Sequence, residues 1–500
     1  MIIAILLWNM LSIQDCIYYQ NIRYQKDRYK ETIDFYLKDI GIMILCSFLI
    51  ILFDLRNLNL VFDLCMLILF SSIYKRIRSI WNDFVITKRI IRLFIVFMII
   101  DTLLILLLWI LPYIAIQLFL LFMMIFHHFV FYFFVCLMHP IEIKIRNSYA
   151  NKAKKKLATF KGIIIGITGS YGKTSIKNLV YDVLSMKYLC LKTRGSYNNQ
   201  MGITKTILEE MNLQEVFICE MGADHVHEIE DLCKFVCPSI GILSAIGPQH
   251  LSTFKNIENI LFEKMKLLES LPKEGMGFYN FDNFYLKQME MKLDCPVTRV
   301  GIHSYADIKA INLVCDHLGS QFDVDLDGQR IHFKTSLLGE HNILNCLFAI
   351  ALGHYLKVDI PLIQMAITLT KPTEHRMELK PFYKGMCIDN AYNSNPSTAK
   401  ISLEVLKMMP GRHYLITPGF IDLGDLHDYY CEEFGKQIRF CDGIVLIGNC
   451  KAILKGLQDH DMSKVIQVNT MKEALLAMSV IIEEGDTLLI ENDIPEGLVQ

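Results

Sequence analysis

The sequence predicts an N-terminal α-helical transmembrane bundle followed by α/β structure, namely a central P-loop domain on a parallel sheet and a C-terminal Rossmann-like α/β domain. Three observations predict it. Long apolar runs crowd residues 1–140. The apolar run Gly162 to Ile167 opens directly into T-G-S-Y-G-K-T-S at 168–175. Beyond that, short apolar segments alternate with helical patterns almost to the C-terminus, as βα units do. The expected division is 1–140 transmembrane, 141–160 a basic linker, 161–372 a central nucleotide-binding domain and 373–500 a second α/β domain.

A spanning helix needs about 20 apolar residues. Ile40–Phe53, Leu58–Ile73, Ile91–Ile110 and Tyr113–Met138 are the main candidates, with Leu111-Pro112 as a tight turn between the last two. Met1–Leu11 is short, and extends to about Tyr19 if it spans. Four basic residues lie between Arg23 and Lys30, six between Lys75 and Arg92, and six between Lys144 and Lys156. Five spans put all three groups on one side, which the positive-inside rule makes cytoplasmic. The C-terminal two-thirds then lies in the cytoplasm too, behind a multi-pass cell-membrane anchor. Asp63, Asp101 and the His127-His128 pair fall inside these runs and read as packing or paired groups.

Composition narrows the function. A net charge of -2 does not suggest a large non-specific nucleic-acid surface. The fifteen cysteines include no C-x-x-C pair, so they suggest no zinc site and suit free thiols in a reducing compartment.

The glycine-rich turn carries the chemistry. Gly169 and Gly172 let backbone N–H groups turn inward on anionic oxygens. Ser170 and Ser175 lie beside them, Lys173 can reach terminal phosphates, and the Thr174 hydroxyl can sit on magnesium. The helix expected over Ser175–Met186 aims its positive end at the same place. The reading is ATP with Mg2+. Val216–Cys219 is a strand ending at Glu220, and Ile240–Ile246 a strand leading to Gly247-Pro248-Gln249-His250. Polar groups leaving adjacent parallel strands at one edge suit a shared metal. Lys264, on the helix expected over Glu258–Leu271, reads by itself as a solvated charge. Asn342 and Asn345 open a long helix, either as caps or as partners for an adenine edge. The polar run Asp389 to Asn395 stands between a strand and the helix expected over Ser397–Met409.

Together these pieces resemble the Mur ligase family, the ADP-forming ligases that join an amino acid or peptide to a carboxylate in cell-wall precursor synthesis. That family's loop reads T-G-[ST]-x-G-K-[TS], without the first glycine of the common P-loop, and Thr168–Thr174 fits it. The MurF type, which adds D-alanyl-D-alanine, is similar in Tyr197-Asn198-Asn199 with Gly202, Glu220-Met221-Gly222-Ala223, Gly247-Pro248 with His250-Leu251, Lys264, Asn280 with Asp282, His341-Asn342, Arg376-Met377-Glu378, and Asp389 with Tyr392-Asn393-Ser394-Asn395-Pro396. The resemblance covers about 160–500.

It implies roles. Lys173 and the loop glycines hold ATP phosphates. Thr174 and Glu220 bind one magnesium, and His250 with a carbamylated Lys264 a second. Asn280 and Asn342 contact the nucleoside. Arg376, Asp389 and Asn393 close the cleft from the C-terminal domain. The implied partners are a carboxylate acceptor (a peptidoglycan precursor or a lipid-linked analogue), an amine donor such as a dipeptide, and the membrane. Two departures bear on the acceptor. Apolar runs stand where MurF enzymes carry a domain that grips uridine diphosphate. The tail reads Glu491-Asn492-Asp493-Ile494-Pro495 where Lys-Gly-Ser-Arg is expected. A ligase for a poly-amino-acid capsule and a non-catalytic ATP-binding scaffold are the alternatives.

Overall fold

A computed structural model describes residues 2–21, 24, 86–108, 127–289, 293–392, 394–420 and 423–492. The expected spans Ile40–Phe53 and Leu58–Ile73, the first half of Tyr113–Met138, the Asn393 position and the tail from Asp493 lie outside these residues. The chain divides into two compact units, Met1–Ser148 and Tyr149–Gln500.

In the first unit three helices are described: Ile2–Asn21, Lys88–Leu108 and the opening part of His127–Ala158. Their shared core includes Cys16, Tyr19, Leu93, Phe97, Phe131 and Val135. Arg92 clamps Glu142 with two hydrogen bonds of 2.7 Å, a paired geometry that holds neighbouring helices in register. Among the described residues one helix, His127–Ala158, is long and apolar enough to cross a membrane.

The second unit contains two sheets. The first has nine strands: β1 (Ile163–Thr168), β2 (Cys190–Lys192), β3 (Val216–Glu220), β4 (Ile240–Leu243), β5 (Met276–Asn280), β6 (Val297–Gly301), β7 (Ile308–Asp316), β8 (Gly319–Leu326) and β9 (Gln329–Thr335). Their order is β2-β3-β1-β4-β5-β6-β7-β8-β9. Pairing is parallel from β2 through β7 and antiparallel over β7-β8-β9. The central strands β1 and β4 are almost wholly apolar because helices cover both faces. Ile165 and Ile167 face one core with Leu179, Val183 and Phe348, while Ile164 faces the other with Phe217 and Leu267. The β7–β9 meander was not anticipated. Its period-two burial, with Phe322 and Val324 inside, is the signal it carries.

The second sheet comprises β10 (Glu378–Phe382), β11 (Gly385–Asn390), β12 (His413–Thr417), β13 (Gly443–Ile447), β14 (Val465–Val468) and β15 (Thr487–Glu491), in the order β10-β11-β15-β12-β13-β14. Only the edge strand β10 is antiparallel.

In the first sheet the chain leaves β1 toward β2 and β3, then crosses back to β4 on the other side. That reversal opens a crevice at the carboxyl ends of β1, β3 and β4, the place where α/β sheets bind ligands. The strand expected over Ile240–Ile246 stops at Leu243. After it the backbone serves the phosphate loop, with the Ala245 carbonyl accepting from Ser170 N at 2.7 Å.

Candidate active site

The loop after β1 forms a cradle. Gly169 has φ 148° and Gly172 φ 82°, both in the region that favours glycine. A Cβ on Gly169 would stand 2.1 Å from Ser244 Oγ, so only glycine passes there. The helix Lys173–Leu184 starts two residues before its expected position, and Gly172 supplies no side-chain cap. Its first N–H groups are left for an anion. Ser170 joins the loop to the β4 side, its hydroxyl lying 3.1 Å from both the N and the O of Gly247. Ser175 sits half-buried in the first helical turn.

Lys173 folds back on its own loop, donating to the carbonyls of Gly169 at 2.6 Å and Ser170 at 3.2 Å. Burial pulls its pKa down to about 8, against the pull of Glu220 upward; Arg376 adds to the depression. Glu220 ends β3 and is 1% exposed. Its Oε2 accepts from Thr174 Oγ1 at 3.0 Å and from Lys177 Nζ at 2.9 Å. Burial alone would raise this carboxyl, but Lys177, Lys173 and Arg376 hold it below its usual range. Lys177 also donates to the Gly195 carbonyl.

Asp224, four residues beyond Glu220, faces His250, with 3.2 Å between Oδ1 and Nε2. His250 has φ 52°, a costly conformation for a residue with a Cβ. Lys264 is the main correction. It is 2% exposed and not solvated, because its helix, Ile257–Glu269, turns Ile260, Lys264 and Leu268 inward together. Its Nζ donates to the Ala223 carbonyl at 3.2 Å. Burial first and then the charge of Lys173 lower its pKa to about 7, against Asp224 and Glu263. Glu263, beside it, accepts from the backbone N–H groups of His227 and Ile229 at 2.6 Å and so anchors the start of helix Glu228–Val236.

Arg376 arrives from the segment leading into the second sheet. It lies over the Tyr392 ring at 4.7 Å, and burial lowers its pKa while Glu220 opposes. Its neighbours His375 and Met377 both have positive φ. Asp389 accepts from His375 Nδ1 at 2.8 Å and from Lys380, which places it as a support for the Arg376 segment. Asn342 donates to the Leu338 carbonyl at 3.0 Å and accepts from Asn345 at 3.1 Å; Gly339 is the N-cap of that helix. Asn345 reaches the cradle, since a Cβ on Gly172 would stand 3.2 Å from its Oδ1. Asn280, buried at the end of β5, accepts from Asp282 N at 2.9 Å.

The structure thus brings Lys173, Thr174, Glu220, Arg376 and Lys264 into one electrostatically coupled group, with His250 attached through Asp224. Asn342 and Asp389 are engaged with their own segments. Sequence reasoning missed Lys177 and Asp224. Lys177 interrupts the apolar stripe Ile176, Val180, Val183 and Leu184, a lysine where the core side is expected.

The model of the Mur ligase middle domain matches residues 167–353. The chain is similar to the UDP-N-acetylmuramoyl-tripeptide--D-alanyl-D-alanine ligase of Mycobacterium tuberculosis (strain ATCC 25618 / H37Rv), 31% identical over 362 residues, which cover 67% of this chain and 71% of that protein. It is similar to the Bacillus subtilis (strain 168) ligase of the same name, 27% identical over 346 residues, covering 68% and 75%. Among solved structures, MurF from Acinetobacter baumannii shares the fold with a TM-score of 0.64 at 21% identity, over 70% of this chain and 77% of that one. MurF from Thermotoga maritima in complex with ADP gives 0.63 at 22% identity, over 70% and 80%. The chain belongs to the Mur ligase family, within it to the MurF type, and is an ATP-dependent, ADP-forming amide-bond ligase.

Proposed function

We propose that this protein is a membrane-anchored ligase that joins a carboxylate of a peptidoglycan or envelope precursor to the amine of a dipeptide such as D-Ala-D-Ala, through an acyl phosphate. The observation that carries the reading is the coupled group at the mouth of β1 and β3. Lys173 feels the charges of Glu220 and Arg376, and Lys264 feels that of Lys173, beside a cradle that only glycine can form.

The substrate carboxylate attacks the γ-phosphorus of ATP, the bond to the β,γ-bridging oxygen breaks, and ADP leaves. The amine then attacks the acyl carbon, the C–O bond to phosphate breaks, and the amine nitrogen loses its proton. Lys173 offers its charge to the transferring phosphoryl oxygens, where a preorganised cation is worth most. The open N–H groups of the first helical turn hold the other phosphate oxygens. Arg376 brings a second cation from the C-terminal side, so closure completes the charge balance. Thr174 and Glu220 would hold one Mg2+, and His250 with a Lys264 carbamate a second, to neutralise charge on the phosphates. Lys264 suits carbamylation because a pKa of about 7 leaves much of it as the free amine that adds CO2. Asn280 and Asn342 would face the nucleoside.

Two stripes of large exposed apolar side chains support the anchor. Ile91, Ile95 and Ile99 form one, and Phe129, Phe133, Leu137 and Ile141 the other, each at four-residue spacing along a helix. Such faces suit lipid. The basic linker then sets the catalytic unit in the cytoplasm, near an acceptor held at the bilayer.

The test offers the full chain, in detergent, ATP, Mg2+ and pairs of nucleotide-linked or lipid-linked muropeptide with D-Ala-D-Ala or other amines. ADP release that needs one such pair supports the reading. ATP binding without turnover on every pair overturns it in favour of a scaffold. Carbonate extraction of membranes tests the anchor, which is lost if the chain comes away.

A further inference from the structure

We propose that Asp15, His127 and His128 form a binding site for one divalent transition-metal ion, separate from the ligase site. All three are buried, with exposures of 0%, 0% and 3%. They come from two helices, Ile2–Asn21 and His127–Ala158, which the chain separates by more than a hundred residues.

The distances fit a coordination sphere. His127 Nδ1 lies 3.0 Å from Asp15 Oδ2, and His128 Nδ1 lies 2.9 Å from Asp15 Oδ1. One ligand atom from each residue can be chosen so that all three fall within 4.8 Å of one another. Ligand atoms about 2.1 Å from an ion and at right angles to each other are about 3.0 Å apart. The two imidazoles present the same ring nitrogen to the same carboxylate, which leaves their Nε2 atoms outward. On His127 that outer nitrogen meets Ser12 Oγ at 3.1 Å. A hydrogen bond at the far nitrogen is how proteins fix the tautomer and aim of a metal-binding histidine.

Charge gives the second argument. A carboxylate buried in an apolar helical unit is costly unless a positive charge offsets it. Among the described residues no Lys or Arg pairs with Asp15. A dication satisfies the carboxylate and both imidazoles together. Two nitrogens and a carboxylate select the Zn2+, Fe2+ and Co2+ class over Mg2+ or Ca2+, which prefer oxygen ligands. Bound there, the ion ties the first described helix to the last of this unit, a cross-link that replaces lost chain entropy with a bond.

The test uses the full chain purified in detergent, stripped with EDTA and dialysed against Zn2+ or Co2+. The proposal expects the wild type to hold about one equivalent more Zn2+ than Asp15→Asn or His128→Gln. His250→Ala keeps that equivalent, which separates this site from the ligase site. X-ray absorption of the Zn2+-loaded wild type, which needs no variant to fold, shows back-scattering from two imidazoles. Equal Zn2+ content in wild type and both variants overturns the proposal, as does an absorption spectrum without imidazole. In either case the cluster is an imidazolium–carboxylate pair that takes no metal.

Discussion

Two buried glutamates end buried parallel strands in the two sheets of the catalytic unit, and their carboxyl pKa values are shifted in opposite directions. Glu220 closes β3, and Glu491 closes β15 at the centre of the second sheet. Both are almost without solvent, at 1% and 0% exposure. Glu220 meets Lys177 at 2.9 Å and feels Lys173 and Arg376, so its pKa is lowered. Among the described residues Glu491 meets only neutral donors, Asn390 at 3.0 Å with Ser394 and Ser402, and its pKa is raised because burial outweighs them. Strand-end position does not decide the charge of a carboxylate. The cation beside it does, and among the described residues one stands beside Glu220, from the helix Lys173–Leu184, and none beside Glu491.

The largest test of this contrast is Glu220→Gln. It leaves Lys177 buried without its anion, and it should cost about 3–5 kcal/mol of stability in denaturant titration and lower ADP-forming turnover by about 10³-fold. Turnover near wild type would remove Glu220 from the chemistry. Next, Lys177→Met should destabilise by about 3 kcal/mol, and the Glu220→Gln, Lys177→Met pair should cost clearly less than the two summed. Strict additivity would show that the pair does not interact.

A third test concerns Lys264. Its pKa of about 7 means that protonation below that pH removes the amine that CO2 needs. Turnover should be low in CO2-depleted buffer, and added bicarbonate should restore it above about pH 7 and less below it. Lys264→Ala should be inactive with or without bicarbonate. Full activity of that variant would discard the carbamate.

The smallest effects separate the two glutamates by the sign of their pH dependence. The lowered pKa of Glu220 contributes stability above the unfolded value, near 4.5, and that stability is lost as pH falls through the folded value. The raised pKa of Glu491 acts the other way, since the folded state keeps the proton longer, and stability falls as pH rises from about 4.5 through its folded value. Glu491→Gln mimics the protonated acid and should change stability by less than about 1 kcal/mol at pH 5. It should gain relative to wild type toward pH 8, as read from thermal melts. A loss there would show that Glu491 is charged.

Much of the catalytic unit was legible in the sequence because its signals are local. The strand, turn and helix of 163–184 and the strand ending at Glu220 follow from contiguous residues. Lys264 was misread in isolation because its burial depends on which way a helix turns against the sheet, although the apolar spacing of Ile260 and Leu268 marks that side. Asp224 lay just past a recognised motif, and nothing in the sequence pairs it with His250. Asp15 and the two histidines meet only through a fold spanning more than a hundred residues, so a pair read as packing became a polar cluster.

The posture of Lys173 has one more consequence. Its ammonium already rests on the Gly169 and Ser170 carbonyls, half-buried in the loop. An arriving triphosphate therefore trades oxygen for oxygen around a cation that the fold has already partly dehydrated. Nucleotide capture at this loop should accordingly show a weaker dependence on ionic strength than a solvent-facing lysine would give.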